Sequence, residues 1–154
     1  MKLLLVEDDE HKRQRICEEL LTQYPELQVV EARSLHGAEE ELDQATFDLV
    51  ILDMSMPMFD IGVDEDGGSF QATAGQELLR YMKRYRVGTP VVVITQFSSF
   101  GKGTDARVLP QLDSELRGDH GASYLGAIYY DPASDDWKSE LQRVMSRLGK
   151  RGPS

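Results

Sequence analysis

The chain has 154 residues, one domain's length and enough for a single sizeable core. Its composition, 40% apolar and 29% charged, argues against disorder, and a formal net charge of −10 argues against autonomous binding to nucleic acid phosphates. Cys17 is the single cysteine, which excludes an internal disulfide and agrees with a reducing, cytoplasmic setting. No apolar run approaches the ~20 residues of a membrane span, so no membrane insertion is expected. The opening Met1 to Val6 is too short for an export signal and is closed at once by Glu7, Asp8 and Asp9.

In chain order, Lys2 to Val6 reads as a strand. Asp9 to Tyr24 follows as a helix, with Ile16, Cys17, Leu20, Leu21 and Tyr24 on its apolar face and Pro25 after it. Leu27 to Ala32 is a second strand. Ser34 is placed to cap a helix with the stripe Leu35, Ala38, Leu42 and Ala45. Phe47 to Asp53 is a third strand, almost wholly apolar, as expected when both faces are covered. Gln76 to Tyr85 forms a helix with Leu78, Leu79 and Met82 inward. Val91 to Thr95 is a fourth strand and Ala127 to Tyr130 a fifth. Trp137, Leu141, Val144 and Leu148 mark a terminal helix, with Ser134 or Asp135 at its cap. The tail from Gly149 to Ser154 is expected to be flexible.

Two segments interrupt this rhythm. Residues 58–74 are acidic and glycine-rich, carrying Asp60, Asp64, Glu65 and Asp66 without the spacing of a calcium loop. Residues 96–121 are expected to hold a helix between Thr104 and Leu116, with Pro110 interrupting its hydrogen-bond ladder. The whole of residues 1–148 is read as one domain.

The alternation of strands and helices predicts an α/β layered fold around a parallel sheet. Ligands of such sheets gather beyond the carboxyl ends of the strands. Glu7 and Asp8 follow the first strand, Asp53 ends the third and Thr95 ends the fourth, so all reach one edge. Carboxylates gathered there repel one another unless a cation joins them. Mg²⁺, which takes oxygen ligands and keeps several waters, is the natural guest. A carboxylate neutralised in this way can act as a nucleophile toward phosphorus.

Three stretches together, LLLVEDDE, DLVILDMSMP and PVVVIT, resemble the receiver domain of two-component response regulators. The resemblance implies a flavodoxin-like (βα)5 three-layer sandwich with strand order 2-1-3-4-5. It implies that Asp53 is the phosphoacceptor. Asp8 would be a direct Mg²⁺ ligand, Glu7 would act through water, and Ser55 would lend its backbone carbonyl. Thr95 would bond the transferred phosphoryl group and Pro57 would shape the adjoining turn. Asp9 would be a surface or capping acid. The implied partners are a histidine kinase or phosphotransfer protein and a further, unnamed downstream protein. The implied activity is at most self-phosphorylation.

The chain departs from the family where a lysine should end the fifth strand and pair with the phosphoryl group. Aligning the terminal helices puts Tyr130 there, an adjacent slip gives Tyr129 or Asp131 and never lysine, and in the first register Ala127 replaces the expected aromatic residue upstream. Lys102 is a possible substitute. The second reading is therefore a pseudo-receiver, an interaction module that works without phosphorylation. The third is an Mg²⁺ phosphohydrolase, which would want an acid where Ser55 stands. His11, His36 and His120 are expected at the surface, and Cys17 and Trp137 in the packing.

Overall fold

Five strands alternate their side chains between two hydrophobic layers, and that alternation builds the molecule. In this computed structural model, residues 1–57, 70–71, 74–97, 99–100 and 107–150 are described. Strands β1 (Lys2–Val6), β2 (Gln28–Ala32), β3 (Leu49–Leu52), β4 (Val91–Thr95) and β5 (Tyr124–Tyr129) form one sheet. All pairings are parallel, in the order β2-β1-β3-β4-β5. Leu4, Val6, Val50, Leu52, Val91 and Val93 point to one face, Leu3, Leu5, Leu49, Ile51, Val92 and Ile94 to the other.

Helices cover both faces. α1 (Glu10–Gln23) and α5 (Asp136–Lys150) flank one, through Ile16, Leu20, Trp137, Leu141 and Val144. α2 (Leu35–Gln44), α3 (Ala74–Arg84) and α4 (Leu109–His120) flank the other, through Leu42, Leu78, Met82, Leu112 and Leu116. The expected flavodoxin-like three-layer sandwich is thus the observed one. Burying these strands on both sides contributes about 1.5–3 kcal/mol for each large apolar side chain.

Local chemistry sets the helix ends. Asp9 caps α1 by accepting from the Lys12 backbone N–H at 2.9 Å, and Ser34 caps α2 through the N–H of Gly37 at 3.0 Å. The Pro110 helix differs from expectation. α4 starts at Leu109, which puts Pro110 in the first turn, where a missing N–H breaks no ladder bond. β5 begins at Tyr124 rather than Ala127. Gly126, with φ of 129°, accommodates a bulge between the Val91 and Val92 pairings. Tyr130 is the residue just after that strand. β3 spans Leu49–Leu52, so Asp53 follows the strand directly. α3 begins at Ala74, two residues before the expected start, and α5 runs to Lys150.

Each departing segment holds a short antiparallel pairing. Met56–Pro57 pairs antiparallel with Phe70–Gln71, and Ser99–Phe100 with Arg107–Val108. Asp60, Asp64, Glu65, Asp66 and Lys102, and the tail beyond Lys150, lie outside the described residues. No helix among the described residues is long and apolar enough to cross a membrane.

Candidate functional site

The carboxyl edge of the sheet collects the acids. Glu7 extends β1, its N–H donating to Ala32 O at 2.9 Å, and Asp53 extends β3, donating to Val6 O at 3.1 Å. The strand ladder therefore fixes both backbones before any side chain acts. Carboxylate oxygens of Glu7, Asp8 and Asp53 lie within 4.8 Å of one another. Glu7 and Asp53 are buried and Asp8 is half-buried.

Burial pushes the Glu7 carboxyl up to about 8; Lys12 pulls it down and the Asp53 carboxylate adds to the rise. Burial, and then Asp53, also raise the Asp8 carboxyl. Such a cluster stores repulsion that a cation relieves. One oxygen, Asp53 Oδ1, is buried with no hydrogen-bond partner among the described residues. The three acids supply only hard oxygen donors, and this orphaned oxygen is a ready ligand, so the residues fit Mg²⁺.

Thr95 ends β4, fully buried, and its Oγ1 accepts from the Phe97 N–H at 3.2 Å. Ser55 is buried two residues beyond Asp53. Gly75, at the start of α3, donates its N–H to Met54 O at 3.0 Å, pinning the loop that carries Asp53. Arg13 holds the acidic loop from behind. Its guanidinium donates to Glu7 O at 3.1 Å and pairs with Glu31 at 3.2 Å.

Tyr130 is buried, its N–H donating to Thr95 O at 2.8 Å and its ring tilted against Trp137 at 5.2 Å between centroids. Tyr129 points outward. Trp137 is buried packing, as expected. Cys17 is half-buried and bonded to Glu31, so it is less interior than a core position. His11 and His36 are exposed, His36 pairing with Glu40, whereas His120 is half-buried.

One functional side chain was missed by sequence reasoning. Lys12 is buried, its Nζ 2.7 Å from Glu7 Oε2 and 3.6 Å from Asp53 Oδ1. The signal was present: Lys12 falls four residues before Ile16 and eight before Leu20, on the buried stripe of α1. A lysine there reads as a break in the apolar pattern when it is in fact part of the buried face.

Two relatives match nearly end to end. An uncharacterized protein y4jR of Sinorhizobium fredii is 30% identical, over 97% of this chain and all of that one. The Detocs response regulatory protein DtcB of Enterobacter cloacae is 24% identical, over 94% of this chain and 99% of that one. Among solved structures, the response regulator TrrA of Thermotoga maritima, in complex with Mg²⁺ and BeF, superposes with a TM-score of 0.60. It is 20% identical, covering 96% of this chain and 97% of that one. The Mn²⁺-bound response regulator Rcp1 gives 0.64 at 20% identity, covering 94% and 91%. The family model of the response regulator receiver domain matches residues 3–108. The chain belongs to the response regulator receiver domain family.

Proposed function

We propose that this receiver accepts a phosphoryl group on Asp53 from the phosphohistidine of a histidine kinase or phosphotransfer protein. The carrying observation is the cluster itself. Three carboxylates lie within 4.8 Å, and the Asp53 oxygen in it has no hydrogen-bond partner among the described residues. Glu7, Asp8, Asp53 and the Ser55 carbonyl would hold Mg²⁺. When bound, Mg²⁺ neutralises charge on the carboxylates and the incoming phosphoryl oxygens.

Asp53 then supplies the nucleophile. A carboxylate oxygen bonds to phosphorus as the P–N bond of the donor breaks. The bonding pair leaves with the imidazole nitrogen; protonated on its other nitrogen, the donor departs as neutral imidazole. Asp53 becomes a mixed carboxylic–phosphoric anhydride. The Thr95 hydroxyl bonds a phosphoryl oxygen, which biases a pre-existing equilibrium of the surrounding surface. Output passes to another protein through that surface. Such a role belongs to the cytoplasm and to residues 1–148 acting as one unit. The Enterobacter relative is a response regulatory protein, which agrees with signalling. A phosphohydrolase is disfavoured because Ser55 offers no second acid.

The test is intact mass after incubation with Mg²⁺ and phosphoramidate, beside an Asp53→Asn control. One phosphoryl group gained only with Mg²⁺, and absent from the control, is the expected result. No adduct together with no Mg²⁺ binding by titration would overturn it in favour of the pseudo-receiver.

A further inference from the structure

Lys12 stands where neither helix patterning nor solvation explains it. It is 2% exposed, on a stripe continued by Ile16 and Leu20. Burying an ammonium group costs several kcal/mol unless it is paired and hydrogen-bonded. Here its hydrogens meet Glu7 Oε2 at 2.7 Å and the Ile94 carbonyl at 2.8 Å. The third direction reaches Asp53 Oδ1 at 3.6 Å, too long for a formed hydrogen bond. The Tyr130 ring lies beneath, its centroid 5.5 Å from Nζ. An aromatic face at that range attracts a cation.

We propose that Lys12, delivered by α1, is the phosphoryl-binding cation of this site, with Tyr130 as its aromatic support. The inference rests on Asp53 being the phosphoacceptor. The position from which a strand-five lysine would reach the site is filled by Tyr130. The charge reaches the same pair of carboxylates from the neighbouring helix. With all groups ionised, Glu7, Asp8, Asp53 and Lys12 leave a net charge that one divalent cation cancels. A phosphoryl group on Asp53 brings oxygen acceptors toward the one Nζ direction that lacks a short partner. Lys12 orients and stabilises the phosphoryl oxygens and transfers nothing.

The test compares wild type, Lys12→Met and the double variant Lys12→Met/Tyr130→Lys. Methionine suits the apolar stripe, and the double variant moves the charge to the end of β5. Three readouts are taken: affinity for beryllofluoride with Mg²⁺ present, rate of Asp53 adduct formation from phosphoramidate, and affinity for Mg²⁺ alone. Lys12→Met is expected to lower the first two by ~100–1,000-fold, as loss of one preorganised donor does. Mg²⁺ affinity should not fall, because a competing cation has been removed. The double variant should recover part of the loss. A purely structural lysine would change thermal stability without separating beryllofluoride from Mg²⁺ binding. Wild-type behaviour of Lys12→Met in the first two readouts would overturn the proposal alone. A wild type that neither binds beryllofluoride nor takes an adduct would sink the phosphoacceptor reading, and this inference with it. Should Lys12→Met not fold, the Lys12 ¹³Cε resonance of labelled wild type decides. It should shift when beryllofluoride joins Mg²⁺, and an unmoved resonance would overturn the proposal.

Discussion

The first turn of α3 rests directly on the phosphoacceptor candidate: a Cβ added to Gly75 would stand 2.7 Å from the Asp53 carbonyl oxygen. It would also lie 2.9 Å from Met54 Cα, so backbone, not a pliable side chain, blocks the space. Gly75→Ala must push the Asp53 loop away from the helix. The expected cost is ~1–3 kcal/mol in urea unfolding, the usual range for overpacking. Adduct formation on Asp53 should slow as well. Unchanged stability would mean that the loop has room that the geometry denies.

Arg13 is a strut rather than a surface charge. It is buried and donates to Glu7 O at 3.1 Å, whereas its ion pair with Glu31 is partly solvated and therefore worth little. Arg13→Ala leaves a buried carbonyl without its charged donor and removes packed stem. The expected loss is ~2 kcal/mol by chemical denaturation, with weaker Mg²⁺ affinity by titration. Lysine should not restore it, since a single ammonium cannot repeat the guanidinium's divided contacts.

Tyr130 carries a buried hydroxyl with no hydrogen-bond partner among the described residues. Removing an unsatisfied polar group while keeping the ring should be neutral or stabilising, by up to ~1 kcal/mol. Thermal unfolding of Tyr130→Phe measures this. A loss above that size would reveal a partner to the hydroxyl, such as an ordered water. Tyr130→Leu, by contrast, removes the ring from under Lys12 and beside Trp137 and should destabilise clearly.

Burial pushes the Cys17 thiol up to about 12, assisted by the Glu31 carboxylate that accepts its S–H at 3.5 Å. At pH 8 the thiolate fraction is then ~10⁻⁴ in the folded protein, against roughly a tenth in an unfolded chain. Native protein should resist iodoacetamide at pH 8 and react quickly in denaturant, as followed by mass. The sign for stability is set by the raised value. The folded state favours the neutral thiol, so the contribution is present below the unfolded value near 9. It is lost as pH rises through about 12.

The continuous apolar runs Leu3 to Val6, Leu49 to Leu52 and Val91 to Ile94 are a local property, and they made the sheet and its carboxyl edge readable from sequence. Glu7, Asp8, Asp53 and Thr95 were legible for the same reason, because each lies at a strand end. The front half of β5 was not, since Gly126 interrupts its pattern at a bulge that only the pairing with β4 explains. α4 was misplaced because Pro110 reads as a breaker unless the helix start is already known. Lys12 was missed for a third reason. A long polar side chain on an apolar stripe is ordinarily solvated, and its burial depends not only on nearby Glu7 but on Ile94 and Tyr130, which are remote in the chain.

The position of Lys12 on α1 bears on how the molecule assembles. Glu7, the capping Asp9 and Lys12 lie within six consecutive residues, and Asp9 starts the helix turn that carries Lys12. Closing so short a loop costs little entropy, so this ion pair can form as soon as α1 nucleates. A cation held at the far end of the sheet would arrive only after the long-range docking of β5. Here the counterion of the acid beside Asp53 lies next to it in the chain, so the pairing of β3 with β1 need not bring bare anions together.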